Sequence, residues 1–284
     1  IRDLVQKENA NNKTTANLLG SLVILGDEDD LKFVLNLKEL SPSVLIALKN
    51  QQRPKFEIHQ RLANFLKTED REIRKGIIDL IGAWEVEELI KEISDIASNT
   101  KINKNLRAKA LKAMGVIGGK DVLLISKQIA ANDNDPCQLD AIGSVISMNI
   151  PNGVKLAVDI LKKELVSEQI SRLFDAVASR NGAMELLAEE LPGSSINKEK
   201  GSLIRQAWIA KGLVSPELSS SLDQLAGIPA PRIEYTDSNI REFVRAGNAG
   251  DAKKGADLFK SAGLGCVACH KVGNIGGIIG PDLS

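Results

Sequence analysis

The sequence predicts an all-α chain: antiparallel helix pairs arrayed in series, followed by a small second domain. Three observations predict it. Apolar residues recur at spacings of three and four through most of the chain, which traces one stripe along a helix. The stripe itself recurs every 31 to 34 residues, a period that marks supersecondary units set in line. Aromatic residues make up only 3% of the chain, while Leu, Ile, Ala and Val carry most of the apolar 43%. That balance suits aliphatic helix packing better than sheets.

With 284 residues, the chain is long for one compact core, so one extended domain or two domains are expected. Lys plus Arg and Asp plus Glu both number 37. This balance argues against nucleic acid or an anionic membrane surface as partner. No apolar run reaches the roughly 20 residues that span a bilayer, so no membrane span is expected. The chain opens on Ile1 rather than Met and reads as a mature or trimmed fragment, which leaves the compartment open.

The elements can be justified in order. Asp27-Glu28-Asp29-Asp30 follows Gly26 and predicts a solvated turn into a helix, where carboxylates meet the positive dipole end. Ser41-Pro42 and Ser215-Pro216 each set a capping oxygen before a proline at the first helical position. His59 in "KFEIHQRLANFL" has only Glu57 near it as a possible co-ligand, and reads as a surface or partly packed side chain. The stretch before Glu69 fits the later register poorly. From Ile73 the units align as "IRKGIIDLIGAW", "LRAKALKAMGVIGG", "CQLDAIGSVISM", "ISRLFDAVASR" and "IRQAWIAKGLV". Their matching apolar pairs are Ile77-Ile78, Ala110-Leu111, Ala141-Ile142, Leu173-Phe174 and Ala207-Trp208. In the first four units Ile81, Met114, Val145 and Val177 extend the stripe.

Most of these helices are followed by a break and a second amphipathic segment: "EVEELIKEISDIAS", "KDVLLISKQIAA", "NGVKLAVDILKK" and "AMELLAEEL". Gly118-Gly119, Pro151 to Gly153 and Asn181-Gly182 mark the breaks. One helix pair cannot bury its own apolar face, but stacked neighbours can. This pattern resembles the HEAT and armadillo-like α-solenoids over about residues 15–226. The resemblance implies a right-handed superhelix that serves as a scaffold. Within it, "NDNDP" from Asn132 lacks the later Gly and Glu of a calcium loop. Cys137 reads as a small buried hydrophobe at a helix start. Met114, Met148 and Met184 read as core filling, and Trp84 and Trp208 as packing anchors.

The repeat stops near Gly227. "GIPAPRIEYTDS" brings Pro229 and Pro231 together, which holds the backbone extended and predicts a linker over 227–238. Ser238 is expected to cap a helix through "NIREFVRAG". Asp251 is expected to cap another through "DAKKGADLFKSAG", with Ala252, Leu258 and Phe259 as apolar contacts. The second domain therefore covers 239–284 and the first 1–226.

In "GLGCVACHKVG" Cys266 and Cys269 are followed at once by His270. Cys-x-x-Cys-His is the attachment signature of a c-type haem. Each thiol can add across one haem vinyl group, and His270 is then carried under the iron as proximal ligand. Gly273, Gly276, Gly277 and Gly280 would let backbone approach a flat macrocycle. Zinc is a rival, but it wants four ligands where three are present. A thioredoxin-like dithiol is a second, but it wants a preceding strand where a helix is expected.

The stretch "GDAKKGADLFKSAGLGCVACHKVGNIGGIIGPDLS" resembles the first half of a class I cytochrome c. It is most similar to haem-binding domains fused to helical repeats in large planctomycete- and verrucomicrobial-type proteins. The resemblance implies one covalent haem c and a helix through Gly255 and Phe259 that packs against a C-terminal helix. It also implies a Gly280-Pro281-x-Leu283 motif in which the Pro281 carbonyl accepts from His270 Nδ1–H and Leu283 packs on the haem. A class I cytochrome c takes a distal ligand, usually Met, and no methionine follows Met184; the chain is expected to continue past Ser284, the alternative being a sixth site that is open or filled from elsewhere.

The function expected is electron transfer by a haem domain on a helical docking scaffold, in the periplasm or an equivalent compartment. A redox partner protein or a dehydrogenase domain would be its partner. Two other readings stay open: the C-terminal part of a larger sugar-type dehydrogenase, and a scaffold whose haem is structural. Between Ile1 and Gly227 no nucleophile, base and orienting group combine, so no catalytic residue is assigned.

Overall fold

The computed structural model describes residues 13–229, 236–261, 264–277 and 279–284. Among them the fold is all-α, with one two-residue hairpin as the only sheet. No helix of the described residues is long and apolar enough to cross a membrane. The chain divides into two compact units, 1–157 and 158–284.

The first unit holds α1 (Lys13–Leu25), α2 (Glu28–Leu35), α3 (Pro42–Lys49), α4 (His59–Phe65) and α5 (Arg71–Ala83). A 3₁₀ turn (Glu87–Leu89) leads to α6 (Ile90–Ser98), α7 (Lys104–Ile117), α8 (Lys120–Ala130) and α9 (Gln138–Met148). Helix α10 (Ile150–Leu161) begins in this unit. Alternate helices pack on one another: α1 on α3, α3 on α5, α5 on α7 and α7 on α9. Helix α6 also packs on α7, and α8 on α9.

The stripe residues explain this order. Ile77, Ile78, Ile81, Ala110, Leu111, Met114, Ala141, Ile142 and Val145 are all buried, and each large aliphatic contributes roughly 1.5–3 kcal/mol by leaving water. Small residues set the spacing between helices. A Cβ on Gly82 would sit 3.0 Å from Ala113, and one on Gly115 would sit 3.1 Å from the Ser144 backbone. Both glycines lie four residues after the second stripe residue of their unit, and both partners lie two after the next. The same contact thus recurs from one unit to the next.

The second unit holds α11 (Ser167–Ala178), α12 (Ala183–Glu190), α13 (Lys198–Lys211) and α14 (Pro216–Leu225), then α15 (Asp237–Asn248), α16 (Ala252–Lys260) and α17 (Cys266–Cys269). Helix α11 packs on α13, and α12 and α13 both pack on α14. Leu173, Phe174, Val177 and Trp208 are buried. The Phe174 and Trp208 rings meet edge to face with centroids 5.2 Å apart, and the indole N–H donates to Ser219 Oγ. Trp84 is anchored likewise, donating to the Gln51 carbonyl at 2.8 Å.

Caps fall mostly where their chemistry asks. Asp27 and Asp30 form a reciprocal capping box at α2. Ser41 and Ser215 accept from Val44 and Leu218 amides. Two boundaries differ from expectation. Pro151 to Gly153 is not a break but the first turn of α10, because a proline near a helix start forfeits no needed N–H; the chain turns at the extended Asn149 instead. Thr236, not Ser238, caps α15, accepting from Asn239 N–H. Residues 230–235 of the expected linker lie outside the described residues.

Cys137 and the acidic run from Asn132 are both accounted for by packing and pairing. Cys137 is fully buried, and its thiol donates to the Lys104 carbonyl at 3.5 Å. Burial pushes that thiol up from its ordinary range. The run from Asn132 supplies Asp135, whose carboxylate meets Arg107 Nη2 at 2.6 Å with both side chains almost wholly enclosed. His59 opens α4, half-buried. Met114 is buried, while Met148 and Met184 sit half-buried at the margins.

Candidate functional site

The site begins with a single helical turn. Gly265 precedes it in the left-handed region at φ 67°, a conformation open to glycine at little cost. The turn α17 then runs from Cys266 to Cys269, closed by His270 N–H to the Cys266 carbonyl at 3.0 Å. Positions i and i+3 share one face of a helix, so both thiols project from the same side. Both are free and half-exposed rather than joined as a disulfide. The Cys266 thiol makes one long contact, 3.9 Å from the Leu264 carbonyl.

His270 ends the turn in an extended conformation and leads into β1 (Lys271–Val272), which pairs antiparallel with β2 (Ile275–Gly276). Gly273 takes a positive φ at the first position of the connecting turn, as a two-residue hairpin requires. The chain then folds back along the motif. Gly277 N–H donates to the Val267 carbonyl at 2.8 Å, and Gly280 N–H to the Cys269 carbonyl at 2.7 Å. Leu283 N–H donates to the Lys271 carbonyl at 2.8 Å.

That returning segment holds the imidazole. His270 Nδ1–H donates to the Pro281 carbonyl at 3.1 Å. A carbonyl can only accept, so this contact places a proton on Nδ1, and in the neutral tautomer it selects Nε2 carries the lone pair. Gly280 lies against the ring: a Cβ there would fall 2.7 Å from His270 Cε1 and Nδ1. No larger residue fits unless the imidazole moves.

Around the motif the surface is apolar and uncovered. Among the described residues from 236 to 284 none is buried. Leu264, Val272, Ile275, Ile279 and Leu283 are all exposed, Ile279 by 81% and Leu283 by 53%. Leu258 on α16 is also exposed, against the expectation that it would find an apolar contact, and Phe259 is half-buried. Asp251 does cap α16, accepting from Lys253 and Lys254 N–H.

The residues singled out from the sequence therefore come together: Cys266, Cys269 and His270 on one turn, with Gly280 and Pro281 against the imidazole. Leu283 is tied in by its backbone, while its side chain faces solvent. Among the described residues no three His, Cys, Asp or Glu side chains group as a metal ion would need. Asp282 and Ser284 escaped the sequence reading. The Ser284 hydroxyl and amide both donate to Asp282 Oδ1, at 2.7 and 3.0 Å. They hold that carboxyl below its usual range. Asp282 accepts from a residue only two positions on, as in a local turn, but no short-range pattern signals that the hairpin brings Gly273 within reach of Ser284.

No protein-family model matches the chain, and no curated protein matches it.

Proposed function

We propose that the protein is an electron carrier, with one c-type haem held covalently by Cys266 and Cys269 and ligated by His270. The observation that carries this reading is the hydrogen bond from His270 Nδ1 to the Pro281 carbonyl, one residue beyond two thiols on one helical face. It supports Nε2 as a metal ligand in a fixed tautomer and orientation, and such an outer contact raises ligand basicity. The donor set suits the group as well: two adjacent free thiols, one imidazole, a glycine pressed on the ring and an exposed apolar rim. When bound, haem c supplies reversible one-electron chemistry.

The chain's own residues divide the work. Cys266 and Cys269 anchor, His270 donates its lone pair, Pro281 orients, and Gly280 leaves the ring its space. Leu264, Ile279 and Leu283 offer apolar surface that a macrocycle would cover, with Leu283 packing on it. The segment 239–284 is then the N-terminal part of a cytochrome c-like domain. The recurring glycine contacts and alternate-helix packing of the preceding region support a HEAT-like α-solenoid, a right-handed superhelix of antiparallel pairs. Its role is to dock the haem domain onto a redox partner protein or a dehydrogenase domain. Covalent attachment of haem in the resembled family occurs outside the cytoplasm, which supports the periplasm or an equivalent compartment as the site of this protein.

A voltammetric scan of holoprotein matured in a host competent for c-type cytochromes tests the function. The expected result is one reversible one-electron wave. A haem that stays redox-silent across the accessible range would make it a structural element and end the electron-carrier reading.

A further inference from the structure

We propose that Asp282 is a positioning residue: through Ser284 it locks the returning segment 279–284 so that the Pro281 carbonyl stays on His270 Nδ1. This rests on the haem reading of the site and adds to it a residue outside the attachment motif.

The returning segment is tied to the motif by a short ladder. Its rungs are Gly280 N–H to the Cys269 carbonyl at 2.7 Å, Leu283 N–H to the Lys271 carbonyl at 2.8 Å, and Gly273 N–H to Ser284 Oγ at 2.7 Å. The His270–Pro281 contact lies between the first two. Pro281 has no N–H of its own, so its neighbours set where its carbonyl points. Two rungs are backbone pairs, indifferent to side-chain identity. The third uses a hydroxyl, which must present a lone pair to Gly273 and send its proton elsewhere.

Asp282 Oδ1 takes that proton, accepting from Ser284 Oγ at 2.7 Å and from Ser284 N–H at 3.0 Å. The carboxylate therefore fixes both the rotor and the backbone of the residue that closes the ladder. Its other oxygen lies 3.6 Å from Lys271 Nζ, with both side chains well exposed, and an exposed pair at that length contributes little. The lock depends on the Oδ1 acceptor rather than on charge. Asparagine keeps that acceptor, whereas alanine removes it.

The test compares wild type with Asp282→Ala, Asp282→Asn and Ser284→Ala as full-chain holoproteins. The readouts are midpoint potential and hydrogen exchange of the Gly273 amide by NMR. Loosening the Pro281 carbonyl makes His270 a poorer donor, so oxidised iron is stabilised less. The potential should therefore move positive in Asp282→Ala and in Ser284→Ala, which keeps the charge. Asp282→Asn should stay at the wild-type value. Gly273 exchange should rise several-fold in the two alanine variants, the size expected for one lost hydrogen bond, and not in the asparagine variant. Equal shifts in Asp282→Ala and Asp282→Asn, with Ser284→Ala silent, would assign the effect to charge and overturn the proposal. So would unchanged potentials in all three. A wild-type protein without covalent haem removes the haem reading and the proposal together, and is seen in its spectrum before any variant is compared.

Discussion

At the scale of single residues, the imidazole of His270 is defined by what touches it. Gly280 leaves no room for a methyl group on one side, and Pro281 accepts its Nδ1 proton on the other. Gly280→Ala should therefore turn the ring away and expose Nδ1–H to solvent. Proton NMR of His270 should show the slowly exchanging Nδ1–H of wild type lost in this variant. Gly247→Ala is the control, since a Cβ there meets nothing within 4 Å; it should leave the His270 signal in place. A Gly280→Ala protein with an unchanged Nδ1–H signal would contradict the steric argument. Cys266, Cys269 and His270 were legible in the sequence because all three chemical roles fall within five consecutive residues. Asp282 was not, because its role depends on the Ser284 hydroxyl reaching the Gly273 amide eleven residues away.

At the scale of elements, the hydrophobic stripes located the paired helices from Ile73 onward, since a spacing of three and four leaves little choice of buried face. The buried link between α7 and the loop before α9 was hidden. Arg107 sits in "KNLRAK" and Asp135 in "NDNDP", polar stretches whose spacing gives no sign of a shared partner. Yet Arg107 donates to the Ala97 carbonyl and to Asp135, which also accepts from Cys137 N–H. Pairing over a gap of 28 residues has no local signature. Burial alone would raise the Asp135 carboxyl, but Arg107 and the Cys137 amide outweigh it and hold it below its ordinary value. Arg107→Ala leaves that carboxylate enclosed and unpaired, and should cost about 3–5 kcal/mol in denaturant unfolding. Because the folded carboxyl titrates below its unfolded value of about 4, its contribution is complete above that pH. It is lost as the pH falls through the folded value. The stability gap between wild type and Asp135→Asn should thus be widest above about pH 5 and shrink on acidification. A gap that widens as the pH falls would contradict the assignment. The misplaced break at Pro151 has a simpler cause: the residue that stops one helix in mid-course also starts the next one well.

At the scale of the whole molecule, two patterns of burial stand side by side. Through α14 the apolar stripes are packed, ending with Leu222 and Leu225; from residue 236 onward no described residue is buried. The helices of the first kind complete their own cores. The amphipathic α15 and α16 instead leave Ile240, Phe243, Val244 and Leu258 exposed. On the reading proposed above, haem would form the centre of that last segment, and preventing its attachment should cost the helices before it nothing. Cys266→Ala with Cys269→Ala should give a colourless protein of unchanged far-ultraviolet helicity. The most direct measurement is the absorption spectrum of wild-type protein matured in a host competent for c-type cytochromes, taken before and after acid–acetone extraction. The chromophore should stay with the polypeptide and both thiols should resist alkylation. Colourless protein, or pigment that leaves with the acetone while both cysteines alkylate, would contradict the proposal.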